Sequence, residues 1–252
     1  MQDDLKDQLY CAPELATFYD FDNGWGAGLE YCRDLAAAAH SVLDLGCGTG
    51  LFLSRLPDSC KSVGVDPAGA MLEIARNRPG GARVKWIEED ALKLRLADRF
   101  DLIVMTGHAF QVFLTEENQR AALRTIAYHI APGGRFIFDT RNPVEEDWRN
   151  WTPDATRRSF KHPELGQVES WNDVSYDRDT AIVTYQTHYR IIASDTHFSA
   201  ESQIKFTSQK QLASMLADTG LAVETWLGDW NGDPFTMASP EIIPIGHLSQ
   251  NI

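Results

Sequence analysis

The chain has 252 residues, a length that suits one α/β domain, or one domain with an insert, and that can bury a sizeable core. Its net charge of −13 argues against a nucleic-acid or anionic-membrane surface. Hydrophobic content of 43% with 23% charged residues is ordinary for a globular protein, and no apolar run is long enough to span a bilayer. The opening stretch MQDDLKDQLY is acidic and polar, unlike a signal peptide. Cys11, Cys32, Cys47 and Cys60 have no CxxC or CxxH spacing. They read as free thiols in a reducing compartment, so a cytoplasmic location and no metal site are expected.

In chain order, residues 1–23 are polar with an apolar break at Leu15, Ala16, Phe18 and Tyr19. The segment YDFDNGW then reads as an aromatic loop, a flap whose Tyr19 and Trp25 are candidates to cover a ligand. Residues 28–39 are predicted helical, with Leu29, Cys32, Leu35 and Ala36 on one face. VLDLGCGTG, residues 42–50, follows: a short buried strand, glycines at 46, 48 and 50, then Leu51, Phe52, Leu53 and Leu56 as the start of a helix. Glycines there let a ligand approach bare backbone, with N–H groups pointing at it.

KSVGVD, 61–66, is a second strand ending in Asp66, and a helix is predicted from Pro67 through Met71, Leu72, Ile74 and Ala75. RVKWIEEDAL gives a third strand ending near Asp90, and FDLIVMTGHAF a fourth. Leu102 to Met105 form the continuous apolar run expected of a central parallel strand. Thr115 caps a helix to Ile130, and Pro132-Gly133-Gly134 stops it before a fifth strand, RFIFDT. Residues 141–160 look irregular, and 167–206 alternate as three antiparallel strands. Ser208 and Gln211 form a capping box for a last helix ending at Gly220. LAVETWL and EIIPIGHL are two final strands.

With LDLGCGTG, Asp66, Asp90-Ala91, FDLIVM and PGGRFIF in this order, the chain resembles a class I S-adenosylmethionine-dependent methyltransferase. The resemblance implies a Rossmann-like α/β fold: a seven-stranded mixed sheet flanked by helices, with a three-stranded antiparallel lid inserted after strand five. It divides the chain into a cofactor-binding domain, 1–140 and 207–252, and a substrate lid, 141–206. It further implies that Asp44, Gly46, Cys47 and Gly48 hold the methionine part of S-adenosylmethionine. Asp66 would take the ribose hydroxyls, as a carboxylate accepts from two donors. Asp90 and Ala91 would meet the adenine edge, Pro67 and Met71 its face, and Thr106 would border the cofactor. S-adenosylhomocysteine would be the product.

No [DNS]PP[YFW] motif follows strand four, so the nucleic-acid amino methyltransferases do not fit. TGHAF and FDTRNP instead resemble the corresponding segments of glycine N-methyltransferase-like enzymes. That resemblance makes Arg141 a candidate clamp for an anionic group, with Asn142 in support, because a guanidinium gives a carboxylate two parallel hydrogen bonds. Pairing of Arg141 with Glu145, Glu146 or Asp147 is the structural alternative. His108 is the best-placed group to orient or deprotonate an acceptor. Trp148, Trp151, Trp171, Tyr185 and Tyr189 are candidates to line a lid pocket, Trp171 and Tyr185 foremost. The expectation is a methyltransferase acting on N or O of a small, carboxylate-bearing molecule, with no nucleic-acid or membrane partner. The alternatives are a non-catalytic cofactor-binding module and an enzyme acting on a protein or tRNA. The oligomeric state is left open.

Overall fold

The computed structural model describes residues 7–249; most of the acidic opening stretch, residues 1–6, lies outside them. The main sheet runs β3 (Lys85–Glu88), β2 (Lys61–Asp66), β1 (Ser41–Leu45), β4 (Phe100–Met105), β5 (Ile130–Phe138), β12 (Glu241–Leu248) and β11 (Leu221–Leu227). The first five are mutually parallel, and β12 enters antiparallel between β5 and β11. A two-residue strand, β6 (Thr140–Arg141), extends this pairing along β12. The expected seven strands in a mixed, Rossmann-like order are therefore present, with this short addition.

Alternation along the central strands divides the core. Leu43, Leu45, Ile103, Met105, Phe136 and Phe138 pack with α6 (Glu116–His129) and α8 (Gln209–Asp218). Val42, Leu102, Val104, Ile137, Ile243 and Ile245 pack with α4 (Ala27–Ala36) through Cys32 and Ala36. Burial on both faces explains why the strands read as apolar runs. Strand order reverses at β1 and β4, and in such sheets ligands bind at the carboxyl ends beside that switch.

Local signals behave as the sequence predicts at the helix starts. The Thr115 hydroxyl accepts from the Asn118 N–H, and Ser208 and Gln211 form the complete capping box. Elsewhere the structure departs from expectation. After the glycine turn there is only a 3-10 turn at Leu53–Arg55, because Pro57 forces Leu56 into an extended conformation (ψ 155°). α5 (Gly69–Asn77) starts two residues after Pro67, and β3 stops at Glu88 before Asp90.

The lid holds four strands rather than three. β7 (Arg158–His162) is an edge strand beside β8 (Gly166–Asp177), β9 (Ile182–Ile191) and β10 (Thr196–Lys205). It is short and mostly exposed, so it lacks a buried alternation to reveal it. Residues 141–160 also carry 3-10 turns and a short helix, α7 (Pro153–Thr156).

The N-terminal segment is not a loop but three single-turn helices, α1 (Gln8–Cys11), α2 (Pro13–Ala16) and α3 (Tyr19–Asp22). Its Leu9, Leu15 and Phe18 share a core with Val168, Tyr189, Ile191 and Ala200 of the lid. Phe18 stacks on Tyr189 at 4.5 Å between centroids. Asp22 accepts from Tyr189 at 2.7 Å and from Arg158 at 2.9 Å. This strap therefore ties the lid to the main domain.

Candidate functional site

Gly46, Gly48 and Gly50 all take left-handed backbone, with φ of +74°, +53° and +71°. That conformation is why side chains are absent there. The N–H groups of Gly46 and Cys47 donate to the Val65 carbonyl at 2.8 and 3.1 Å, fastening the turn to the end of β2. Asp66 continues the same lock. Its Oδ2 accepts from the Gly48 N–H and its Oδ1 from the Ala68 N–H, each at 2.8 Å. Each oxygen keeps a lone pair for a further donor. Burial pushes the Asp66 carboxyl above its ordinary range, against those two bonds.

Asp44 stands on β1 two residues before the turn. It is 2% exposed, and its Oδ1 has no hydrogen-bond partner among the described residues. Burial, helped by the Asp66 charge, pushes its carboxyl up to about 8. An unpartnered buried carboxylate is costly and suits a cationic ligand. With the glycine cradle it fits a cofactor that carries an ammonium and a sulfonium.

The strap lies over this cradle. A Cβ on Gly48 would sit 3.9 Å from the Tyr19 ring, and one on Gly107 3.8 Å from the Tyr19 hydroxyl. Asp20 accepts from Thr49 Oγ1 at 2.6 Å and pairs with Arg78. Met71 is buried beneath, against Ala16, Ala68 and the rings of Tyr10 and Tyr19. Pro67 is exposed beside it. Past β3, the half-buried Asp90 accepts from the Leu92 N–H at 2.8 Å, and Ala91 is buried.

The second half of the site begins where β4 ends. Thr106 is half-buried, and Gly107 and His108 follow with φ of +68° and +62°. A left-handed non-glycine residue at a strand end needs an outside hold. Asp139, just after β5, supplies it: its Oδ1 accepts from the His108 N–H at 3.0 Å. The His108 Nε2 lies 2.9 Å from Oε1 of Glu241 and 3.5 Å from Oδ2 of Asp139. Burial raises the Asp139 carboxyl and Glu241 adds to it, while His108 opposes. The other Glu241 oxygen is buried without a partner among the described residues. The two halves touch, since a Cβ on Gly46 would lie 2.9 Å from the Ala109 Cβ.

Arg141 pairs across the sheet with Glu241. Its guanidinium donates to Gln111 Oε1 at 3.1 Å, lies 4.8 Å over the Trp151 ring and approaches Asp147 only to 3.9 Å. Trp151 in turn meets Tyr185 edge-on, and the Tyr185 and Tyr10 hydroxyls are 3.3 Å apart. The strap, the lid and the strand ends thus converge around Arg141.

A methyltransferase-domain family matches residues 42–134, from β1 through the glycine turn to the start of β5. The chain is 28% identical over 206 residues to a Streptomyces cypemycin N-terminal methyltransferase, covering 81% of this chain and 82% of that one. It is 29% identical over 235 residues to a dTDP-3-amino-3,6-dideoxy-α-D-glucopyranose N,N-dimethyltransferase of Streptomyces fradiae, covering 87% and 88%. Rat glycine N-methyltransferase is 34% identical over 119 residues, 41% of each chain.

Residues 42–134 are a methyltransferase domain, and the chain is similar to known methyltransferases along most of its length.

The methyltransferase shares its fold with solved structures at low identity. One is an S-adenosylmethionine-dependent methyltransferase from Clostridium acetobutylicum (TM-score 0.78, 16% identity, 95% and 99% of the two chains). Another is an amino pentose methyltransferase from Micromonospora echinaspora with S-adenosylmethionine bound (TM-score 0.64, 21%, 97% and 99%). Among the described residues no helix is long and apolar enough to cross a membrane.

Three expected contacts of the methyltransferase are not brought to this centre. Asn142 spends both amide donors on the Met237 and Ser239 carbonyls and accepts from the Val144 N–H, so it pins a turn rather than a substrate. Trp171 pairs with His188 on the lid face opposite Ser170 and Tyr189, away from the strap. It stacks there on His188, under Arg157. Trp25 donates to Glu30 at 2.6 Å and lies under Arg55, packed on the α4 side. Alternation fixed neither face of the lid as the inner one, which is why Trp171 misled.

Two residues that sequence reasoning passed over stand at the centre. Asp139 was legible: it directly follows the apolar run of β5, two residues before Arg141. Glu241 carried no signal, being one acid at the start of an ordinary strand.

Proposed function

We propose that the methyltransferase methylates the nitrogen of a small-molecule amine that also carries an anionic group. The observation that carries this reading is His108, held left-handed between Asp139 and Glu241 against the glycine turn. Two carboxylates and an imidazole suit an ammonium that must lose a proton before it can act as a nucleophile. The activities named for the relatives, an N-terminal methyltransferase and two amino-sugar N,N-dimethyltransferases, support the same acceptor class.

In this reading Asp44 and the backbone of Gly46, Cys47 and Gly48 hold the aminoacyl end of the cofactor. Asp66 takes the ribose hydroxyls, Asp90 and Ala91 the adenine edge, and Pro67 and Met71 its face, with Thr106 at the border. The bound cofactor supplies an electrophilic methyl group on a sulfonium. Tyr19 closes the cradle from the strap. His108 orients and deprotonates the acceptor, and Arg141 anchors its anionic group while Tyr185 lines the pocket. Residues 141–206 act as the lid, and its aromatic side chains exclude water from the aligned reactants.

The test is a labelled-methyl transfer screen over amines, phenols and carboxylic acids, each with and without a second anionic group. Transfer is expected to amines, strongest where an anionic group is present. The Asp66→Ala protein should lose at least about 100-fold in transfer, the range for losing charge-assisted hydrogen bonds. Transfer confined to phenols or carboxylic acids would refute the amine reading.

A further inference from the structure

The cluster His108, Asp139 and Glu241 joins three strand ends that are distant in sequence. Their ligand-type atoms lie within 4.8 Å of one another. Two kinds of chemistry suit such a group: a divalent cation, or a shared proton. A cation would take the Nε2 lone pair, and a metal-bound imidazole almost always donates its remaining N–H to a second partner. Among the described residues no group is hydrogen-bonded to the Nδ1 of His108. The 2.9 Å approach of Nε2 to Glu241 is an ordinary hydrogen bond.

We infer that Glu241 is a positioning residue: it fixes His108 in the Nε2–H tautomer and leaves the Nδ1 lone pair to receive a proton from the acceptor ammonium. The inference deepens the reading of the acceptor as an amine and rests on it. An ionised carboxylate only accepts, so the proton it shares with an imidazole belongs to the ring nitrogen. Asp139 fixes the backbone of the same residue through its N–H and stands 3.5 Å from Nε2 as a second acceptor. The charged groups around the ring are thus Asp139 after β5 and Glu241 on β12, with Arg141 of β6 paired to Glu241 across the sheet.

The proton transfer balances without a further reactant. The ammonium N–H bond breaks, its electron pair stays on nitrogen, and a new N–H bond forms at Nδ1. His108 becomes an imidazolium whose Nε2–H still faces two carboxylates. The ring is 21% exposed, so the proton can pass on to water. The same logic holds wherever a carboxylate orients an imidazole for base catalysis.

The experiment uses full-length protein with S-adenosylhomocysteine bound and nitrogen-15-labelled histidine. Nitrogen NMR reads the tautomer directly, with His108 identified by the signals lost in His108→Gln. In the wild type, Nε2 is expected protonated and Nδ1 bare. Glu241→Gln should abolish that preference, and Glu241→Asp, which retains the charge, should keep it. Kinetically, Glu241→Gln should lower kcat about 10- to 100-fold, part of what a general base contributes. The cofactor Kd should stay within about 2-fold, since the cofactor complex does not use the bond. An unchanged tautomer in Glu241→Gln, a proton on Nδ1 in the wild type, or stoichiometric binding of Zn²⁺ or Mn²⁺ lost in Glu241→Gln would overturn the inference. The tautomer is read without any acceptor, so a failed amine screen and a failed role for Glu241 are separate results.

Discussion

Replacing Asp44 by Asn tests the electrostatics of the donor half most directly. The Asp44 carboxyl is buried, lacks a partner on Oδ1 and is raised from 3.8 to about 8. The folded protein therefore keeps a proton that the unfolded chain has already released. Below pH 3.8 both states hold it and nothing is lost. Between there and pH 8 stability falls with rising pH, by about 1.4 kcal/mol per unit. At pH 7 the penalty reaches about 4 kcal/mol, an upper figure because water in an open cleft would solvate the ion. Asn keeps the shape, removes the charge and leaves a neutral amide at the same unpartnered position, which costs about 1–3 kcal/mol. The net expectation in cofactor-free buffer at pH 7 is a gain of about 1–3 kcal/mol, or roughly 3–10 °C in Tm for a chain of this size. Differential scanning calorimetry from pH 5 to 8.5 reads it as a wild-type curve that falls more steeply than that of Asp44→Asn. Binding should move the opposite way. Losing a buried charge-assisted bond to the cofactor's ammonium should raise the Kd of S-adenosylhomocysteine about 10- to 100-fold. Parallel Tm curves for the two proteins would refute the reasoning, whatever the binding result.

Two further outcomes follow from the same geometry. Gly50→Ala should cost about 2–4 kcal/mol in urea unfolding, since left-handed strain at φ +71° adds to a collision with the Trp86 ring and the Ala75 Cβ. Gly133→Ala, left-handed with nothing within 4 Å, should show only the strain of about 1–2 kcal/mol, and equal losses would remove the packing argument. Arg141→Ala should raise KM about 10- to 100-fold for an amine with an anionic group. An uncharged amine and the cofactor Kd should be unaffected; a loss shared by both amines would instead make Arg141 a prop for Gln111 and Trp151.

The lid shows where sequence reading reached its limit. Three of its strands were legible because Val183, Tyr185, Thr187, Tyr189 and Ile191 alternate over ten residues. The fourth, Arg158–His162, is short and solvated and has no such pattern. What makes it a strand is its partner, β8, and the hold of Asp22 on Arg158 from the strap. The strap itself looked like a loop because its helices are one turn each. Burial under the lid, rather than helix propensity, holds them in place.

The sequence by itself determined the glycine-turn half of the candidate site. Glycines at 46, 48 and 50, Asp44 and Asp66 lie within 23 residues of one another, and their contacts are local to β1, the glycine turn and β2. Backbone conformation and short-range hydrogen bonds fix such a unit, and both are written in residue types. The half around His108 was decided by tertiary structure. Glu241 reaches His108 across 133 residues only because β12 inserts antiparallel beside β5. Asn142 turned out to brace a loop, and Trp171 faces away from the strap. Which face of a strand points inward, and which distant acid meets a histidine, depends on packing between elements, and no local pattern in the chain encodes it.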